Sequence, residues 1–321
     1  MPKVALFILF NHNYEANLDK LDKIYSGRFS NIFYIMPFYS GARQDVIPVY
    51  ESSFYFQGYL NVAFTKIKGS EYDHFMVIGD DLMLNPKITE DNYQQYFGVD
   101  SKTGFIPDFF LLTDSSSKLP DRPFAPFWHH SISALNFNVK REGIESEPYL
   151  PGYENAKELL KRHGLDFTAQ MPRKFFLRLP FFKFSKKKSE LIKNWTAFKL
   201  MFYHNLKYIL NPPVLKYPLV GSYSDCIILP TSDVSDFAKY CGVFAALDLF
   251  VEIAIPTAMG LSVSKIITEK TLNHKGLTLW NKEDVDNVLN SFDNSYENIV
   301  NNFPLNTLYI HPVKLSKLRF N

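Results

Sequence analysis

Two adjacent carboxylates stand at a position where α/β proteins bind ligands. Asp80 and Asp81 follow residues 75–78, a run of four apolar or aromatic side chains that predicts a short buried strand. In an open α/β sheet, ligands bind beyond the carboxyl ends of the strands. Two carboxylates there suit Mg²⁺ or Mn²⁺ carrying a phosphate group. The alternative interpretation is that both residues simply cap a turn.

Two further acids lie late in the chain. Glu252 interrupts the apolar run 249–258, which predicts a buried helix. A charge inside such a helix is costly unless it faces a site or a partner, so Glu252 is a candidate catalytic residue. A buried salt bridge or exposure at the helix edge are the alternatives. Asp225 follows a segment rich in Gly and Ser, so it is either a site carboxylate or a turn cap.

The elements around these acids alternate between strand and helix. Apolar runs predict strands over residues 4–10, 32–36, 73–81, 225–230, 264–268 and 308–314, with a short edge segment over 46–49. Helical spacing is present over residues 18–24, 56–67, 156–163, 191–210, 237–240 and 244–258, the last with a break near Pro256. The proline-containing stretches 104–107 and 121–128 are predicted to be irregular. The progression predicts an α/β fold with an open, mostly parallel sheet.

Composition limits the class of protein. The 321 residues are 46% hydrophobic and 21% charged, enough to bury a large core. A net charge of +2 argues against a nucleic-acid partner. Two cysteines, Cys226 and Cys241, form neither a disulfide framework nor a metal cluster, which favours a reducing compartment. The longest apolar region, 243–263, contains two acids and a proline, so it is not expected to span a bilayer.

The segment 173–188 differs from the rest of the chain. It holds seven Lys or Arg residues, five Phe and no acid. It is either a solvated loop whose Phe side chains enter the core, or a surface for anionic lipid. With no targeting segment recognised, we expect a cytoplasmic protein, peripheral at the inner face of the membrane. The predicted organisation is an α/β half (1–135), an irregular or helical, basic and aromatic insertion (136–215) and a C-terminal part of the same domain (216–321).

In the order and spacing of these pieces, the chain resembles the GT-A class of nucleotide-sugar-dependent glycosyltransferases. The likeness is to bacterial enzymes that build surface polysaccharide such as lipopolysaccharide and capsule, and it covers roughly residues 1–100 and 215–315. Those enzymes open with an apolar strand and a nucleotide-binding turn, and they carry an Asp-any-Asp motif after a later strand. Aligned on Asn85-Pro86, Asp81 takes the place of the second, metal-binding Asp, and Gly79 replaces the first. Asp80 is then the neighbouring ribose or metal contact.

The resemblance makes residues 1–135 the nucleotide-sugar-binding half, residues 136–215 an insertion that faces the acceptor or the membrane, and residues 216–321 the acceptor-binding part. It also implies roles for four more residues. Asn11, just after the first strand, is a candidate nucleotide contact. Glu252 stands where many inverting members place the catalytic base, and Asp225 is the rival base or an acceptor-hydroxyl ligand. His311 resembles the late His that touches metal or diphosphate. His129-His130 is interpreted as a loop feature with a lesser claim to acceptor binding.

These roles predict a metal-dependent, inverting hexosyl transfer. The expected donor is a nucleotide-sugar, a UDP-sugar above others, with Mn²⁺ or Mg²⁺, and the expected acceptor is a glycan or lipid-linked glycan. One alternative is a sugar-1-phosphate nucleotidyltransferase, although residues 11–14 are not the Gly-rich loop typical of that class. Another is a non-catalytic glycan-binding protein, consistent with an aromatic content of 16%.

Overall fold

The computed structural model describes residues 3–67, 71–113, 133–137, 145–171, 206 and 208–320. The strands are β1 (Val4–Leu9), β2 (Ile32–Pro37), β3 (Val46–Val49), β4 (His74–Gly79), β5 (Met83–Leu84), β6 (Thr103–Phe105), β7 (Phe110–Leu111), β8 (Val220–Gly221), β9 (Cys226–Pro230), β10 (Lys265–Ile267), β11 (Lys275–Thr278) and β12 (Thr307–His311). The α-helices are α1 (Leu18–Tyr25), α2 (Phe56–Lys66), α3 (Tyr93–Phe97), α4 (Tyr153–Lys161), α5 (Val234–Ala246), α6 (Val251–Ser262), α7 (Lys282–Ser291) and α8 (Tyr296–Asn301).

A seven-stranded sheet in the order β10-β6-β9-β4-β1-β2-β3 forms the centre of the described chain. β1 pairs in parallel with β2 and with β4, and β2 pairs in parallel with β3. β9 is antiparallel to both β4 and β6, whereas β10 is parallel to β6. The sheet is therefore open and mostly parallel, in agreement with the predicted α/β class.

The buried strand β1 divides two hydrophobic cores. All six of its residues are buried. Because side chains alternate along a strand, Ala5, Phe7 and Leu9 join the core under α2, α5 and α6, and the other three residues join the core under α1, α7 and α8. A strand buried on both faces reads as a continuous apolar run, which explains why the sequence predicted this one.

A smaller sheet brings the end of the chain to the main one. β12 pairs in parallel with β11 and antiparallel with β5, which follows β4 by three residues. The carboxyl end of β12 is thereby brought to the carboxyl end of β4. Within the described ranges, no helix has the length and apolar composition that crossing a bilayer requires.

The expectation that residues 104–107 are irregular is wrong in part. Gly104 and Phe105 belong to β6, which lies inside the sheet between β9 and β10. A Cβ atom on Gly104 would lie 3.0 Å from the carbonyl oxygen of Ile228, so the close approach of β9 requires glycine. Glycine followed closely by Pro107 looks like a loop in the sequence, and only the pairing with neighbouring strands makes the segment a strand.

The expected helix break near Pro256 is also wrong. The chain breaks earlier, between α5 and α6, where Asp248 has a φ of 52°. α6 continues through Pro256, which cannot donate to the carbonyl of Glu252 four residues before it. That carbonyl instead accepts a hydrogen bond of 2.9 Å from the N–H of Ser222. The proline is tolerated because Ser222, which lies outside the helix, donates the hydrogen bond that the carbonyl of Glu252 would otherwise lack.

Several sequence predictions concern residues beyond the described ranges. These are the irregular stretch 121–128, the pair His129-His130, the basic segment 173–188 and most of the helix over 191–210. The helix predicted over 156–163 is confirmed as α4, and Gly164, with a φ of 76°, follows its end. Cys226 and Cys241 are buried free thiols.

Candidate functional site

Three of the predicted carboxylates meet at one edge of the main sheet. Asp80 and Asp81 follow the carboxyl end of β4, and Asp225 precedes the start of β9. Since β9 runs antiparallel to β4, its first residue lies beside the last residues of β4. The N–H of Gly79 donates to the carbonyl of Asp225 over 3.2 Å. Residues about 145 positions apart in the sequence are therefore neighbours because of the strand direction.

Asp80 connects the ends of β1 and β4. Its N–H donates to the carbonyl of Leu9 over 2.9 Å, and its Oδ1 accepts from the backbone N–H of Asn11 over 3.4 Å. The residue is only 4% exposed. Burial, reinforced by the charge of Asp81, raises the pKa of Asp80 to about 7. Asn11, the predicted nucleotide contact, therefore lies directly beside the paired acids.

His311 lies between two of the acids. Its Nε2 atom is 3.2 Å from Oδ1 of Asp81. Its Nδ1 atom is 3.3 Å from Oδ2 of Asp225, but this second contact lacks the alignment of a hydrogen bond. Burial opposes the charged imidazolium, but the charges of Asp225, Asp81 and Asp80 outweigh it and raise the pKa of His311 to about 9. His311 thus lies between two carboxylates whose charges favour its protonated form.

Backbone contacts hold His311 at this place. The N–H of Val313 donates to the carbonyl of Asp81, at 2.6 Å. The side-chain amide of Asn85 donates to the carbonyl of Thr307 over 2.7 Å. The backbone N–H of Asn85 donates to the carbonyl of Leu308 over 2.8 Å. The loop after the paired acids is therefore bound to the same strand, β12, that ends at His311.

Glu252 stands in the first turn of α6. The hydrogen bond from Ser222 to its carbonyl holds the segment before Asp225 against this turn. Burial raises the pKa of Glu252 to about 8, and the charge of Asp225 adds to the rise while His311 opposes it. Burial also raises the pKa of Asp225, where His311 opposes the rise and Asp81 adds to it. The structure therefore brings Glu252, Asp225 and His311 within electrostatic reach of one another.

Asp81 and His311 fit part of a divalent-cation site. In an octahedral site with bonds of about 2.1 Å, neighbouring ligand atoms are about 3.0 Å apart, close to the 3.2 Å between Oδ1 of Asp81 and Nε2 of His311. Asp225 lies beside Nδ1, the other ring nitrogen of His311. In metal sites, a carboxylate at this position orients the imidazole without binding the metal itself. Among the described residues, no group of three or more His, Cys, Asp or Glu side chains is placed to hold a metal ion.

Two positioning residues were missed by the sequence analysis. The hydroxyl of Tyr25 donates to the carbonyl of Leu82 over 2.9 Å and accepts from the N–H of Leu84 over 3.2 Å. Nη1 of Arg28 donates to the carbonyl of Asn85 over 2.8 Å. Both residues lie at the end of α1 and hold the loop that carries the paired acids. Nothing in the local sequence around them indicates this role, because their partners are more than fifty residues away.

Comparison with known proteins adds little to this description. No protein family matches the sequence, and no curated protein matches it at a significant level. Among solved structures, the chain is similar to the mannosyltransferase Ktr4p from S. cerevisiae, with 10% identity and a TM-score of 0.34. That match covers 85% of this chain and 70% of the mannosyltransferase. A similarity of this size does not assign the chain to a family, and the function proposed below depends on the site.

Proposed function

We propose that this protein is a glycosyltransferase of the GT-A type that transfers a hexosyl group from a nucleotide-sugar, preferably a UDP-sugar, to a glycan or lipid-linked glycan. The observation that carries the proposal is the meeting of residues from distant parts of the chain at the carboxyl edge of a mostly parallel sheet. They are Asp80, Asp81, Asp225, Glu252 and His311. Such an edge is where open α/β sheets bind ligands.

The residues divide into two chemical tasks. Asp81 and His311 would hold Mn²⁺ or Mg²⁺, which supplies positive charge to the diphosphate leaving group when bound. Asn11, which follows β1, and Asp80, which follows β4 and accepts from the N–H of Asn11, would contact the nucleoside. Glu252 is suited to proton transfer, because a carboxylate with a pKa near 8 is a stronger base than an ordinary glutamate.

In the proposed reaction, Glu252 accepts the proton of an acceptor hydroxyl. The hydroxyl oxygen forms a bond to the anomeric carbon of the donor sugar as the bond from that carbon to the diphosphate oxygen breaks. The electron pair of the broken bond leaves with the nucleoside diphosphate. Attack from the face opposite the leaving group inverts the sugar configuration. Asp225, which lies against His311, serves to orient that imidazole and is the alternative base.

Thermal-shift measurements test the proposal. Nucleoside diphosphates and nucleotide-sugars are added with and without Mn²⁺, because a ligand that binds only the folded state stabilises it by about 2.7 kcal/mol at a hundredfold excess over its Kd. We expect UDP to stabilise the protein in a Mn²⁺-dependent way. Asp81→Ala should abolish this effect and leave the fold intact, whereas the exposed acid variant Asp91→Ala should retain it. Absence of stabilisation by any nucleotide, with or without metal, would contradict the proposal.

A further inference from the structure

An aromatic pair adjoins the two segments that carry the acids and the histidine. The rings of Tyr223 and Trp280 have centroids 4.6 Å apart and cross at 60°. Tyr223 precedes Asp225 by two residues. Trp280 follows Leu279, whose N–H donates to the carbonyl of His311 over 2.7 Å. Tyr223 is thus two residues from Asp225 in the chain, and Trp280 is next to a residue that is hydrogen-bonded to His311.

Another aromatic ring packs against the pair. Phe110, in β7, lies edge-to-face against Tyr223 with a centroid distance of 5.7 Å, and β7 pairs with β8 just before Tyr223. All three rings are partly exposed rather than fully buried. Between Tyr223 and Asp225, the hydroxyl of Ser224 is buried without a hydrogen-bond partner in the described structure. Aromatic surface and polar groups therefore lie side by side next to the carboxylates.

This combination matches the chemistry of a sugar ring. A pyranose has an apolar face of C–H groups and a rim of hydroxyls. Aromatic side chains supply rigid apolar area, and Tyr and Trp add a hydrogen-bonding group at the edge of the ring. Binding sites for small molecules commonly combine such apolar surface with a few well-placed polar groups.

The position of the pair favours the acceptor over the donor. The proposed nucleoside contact Asn11 follows β1, whereas Tyr223 precedes β9. In the sheet, β4 lies between β1 and β9. Asn11 and Tyr223 are therefore on opposite sides of the acids that follow β4, and a sugar on the aromatic pair would approach from the side of Asp225.

We infer that Tyr223 and Trp280 form a platform for a pyranose ring of the acceptor, which sets an acceptor hydroxyl beside Asp225 and Glu252. This inference rests on the proposed glycosyl transfer and adds to it the acceptor class, a pyranose whose C–H face is accessible. The two residues position the substrate and take no part in proton transfer.

The test is ligand-observed NMR by saturation transfer, in the presence of UDP and the diamagnetic ion Mg²⁺. The probes are methyl glycosides of mannose, glucose, galactose and N-acetylglucosamine, with the corresponding disaccharides. We expect at least one probe to bind the wild-type protein, with the strongest transfer to its C–H face. Trp280→Ala should weaken this binding at least tenfold, while Trp280→Phe, which keeps an aromatic face, should retain most of it. Tyr223→Leu provides a second variant should Trp280→Ala fail to fold.

Two controls separate this inference from the proposed function. Phe320→Ala removes one ring of another aromatic pair, with Tyr296, and should not change sugar binding. UDP-dependent thermal stabilisation should be the same in Trp280→Ala and in the wild type. If UDP stabilises the protein but no probe binds, or if a probe binds Trp280→Ala as well as the wild type, the platform is refuted and the glycosyltransferase proposal stands. If UDP has no effect on the wild-type protein, the proposed function itself fails.

Discussion

At the scale of single residues, Glu252 has the properties required of a catalytic base. Glutamine in its place keeps the shape but cannot accept a proton, so Glu252→Gln should lower turnover by about 10²- to 10⁴-fold. Nucleotide binding should be nearly unchanged, because the lost interaction belongs to the transition state. Measured kcat and the UDP thermal shift check both expectations. If turnover survives in Glu252→Gln and disappears in Asp225→Asn, the base is Asp225.

The same carboxylate predicts the pH dependence of activity. A base acts only when it is deprotonated, and burial raises the pKa of Glu252 to about 8. In the wild type, kcat/KM should therefore rise about tenfold per pH unit below pH 8 and level off above it. A profile that is already flat between pH 6 and pH 8 would exclude Glu252 as the base.

Stability should follow the opposite trend. The unfolded chain ionises Glu252 near its ordinary pKa of 4.5, whereas the folded chain keeps it protonated up to about 8. The folded state therefore loses stability relative to the unfolded state as the pH rises through this window. Glu252→Gln should remove the loss, so its Tm should exceed that of the wild type by a margin that grows from pH 5 to pH 8. An equal Tm difference at all pH values would show that Glu252 is not buried as described.

At the scale of elements, Asn85 joins the loop after β4 to β12. Its side chain is buried and donates to the carbonyl of Thr307. Asn85→Ala leaves that buried acceptor without its donor, which costs about 1–3 kcal/mol of unfolding free energy. Because β12 ends at His311, we also expect weaker Mn²⁺-dependent binding of UDP. Urea unfolding and the thermal shift measure the two effects.

Asn302 offers a matched control for this element. It is exposed, and its side chain donates to the carbonyl of Asn298 over 3.0 Å. Asn302→Ala should change the unfolding free energy by less than about 0.5 kcal/mol, since exposed substitutions rarely cost more. Equal losses in the two variants would mean that Asn85 has no special part in joining the loop to β12.

At the scale of the whole molecule, the basic segment 173–188 predicts contact with a membrane surface. Each of its cations contributes about 1 kcal/mol near an anionic surface, an effect that salt weakens. We expect the protein to sediment with anionic but not neutral liposomes, less so at high salt. Replacing Lys186, Lys187 and Lys188 with Glu should abolish this behaviour. Equal recovery of both proteins in the supernatant at low salt would refute the membrane contact and favour a soluble acceptor.

The sequence by itself determined the strands and helices with strong patterns. The continuous apolar runs of β1 and β4 predicted buried strands, because strands covered on both faces need no polar residues. The acids after β4 were recognisable as candidate ligands, because their position at a strand end is a local property. Elements whose burial shows in the pattern of their own residues can therefore be predicted without a structure.

The tertiary structure alone decided which residues meet. Gly104 is in a strand because β9 and β10 pair with β6 on either side, and Pro256 stays in a helix because Ser222 satisfies the carbonyl of Glu252. His311 reaches Asp81 and Asp225 through the pairing of β12 with β5 and the reversed direction of β9. These contacts join residues that are tens to hundreds of positions apart, and the energy that selects them comes from pairing and burial, which no local pattern records.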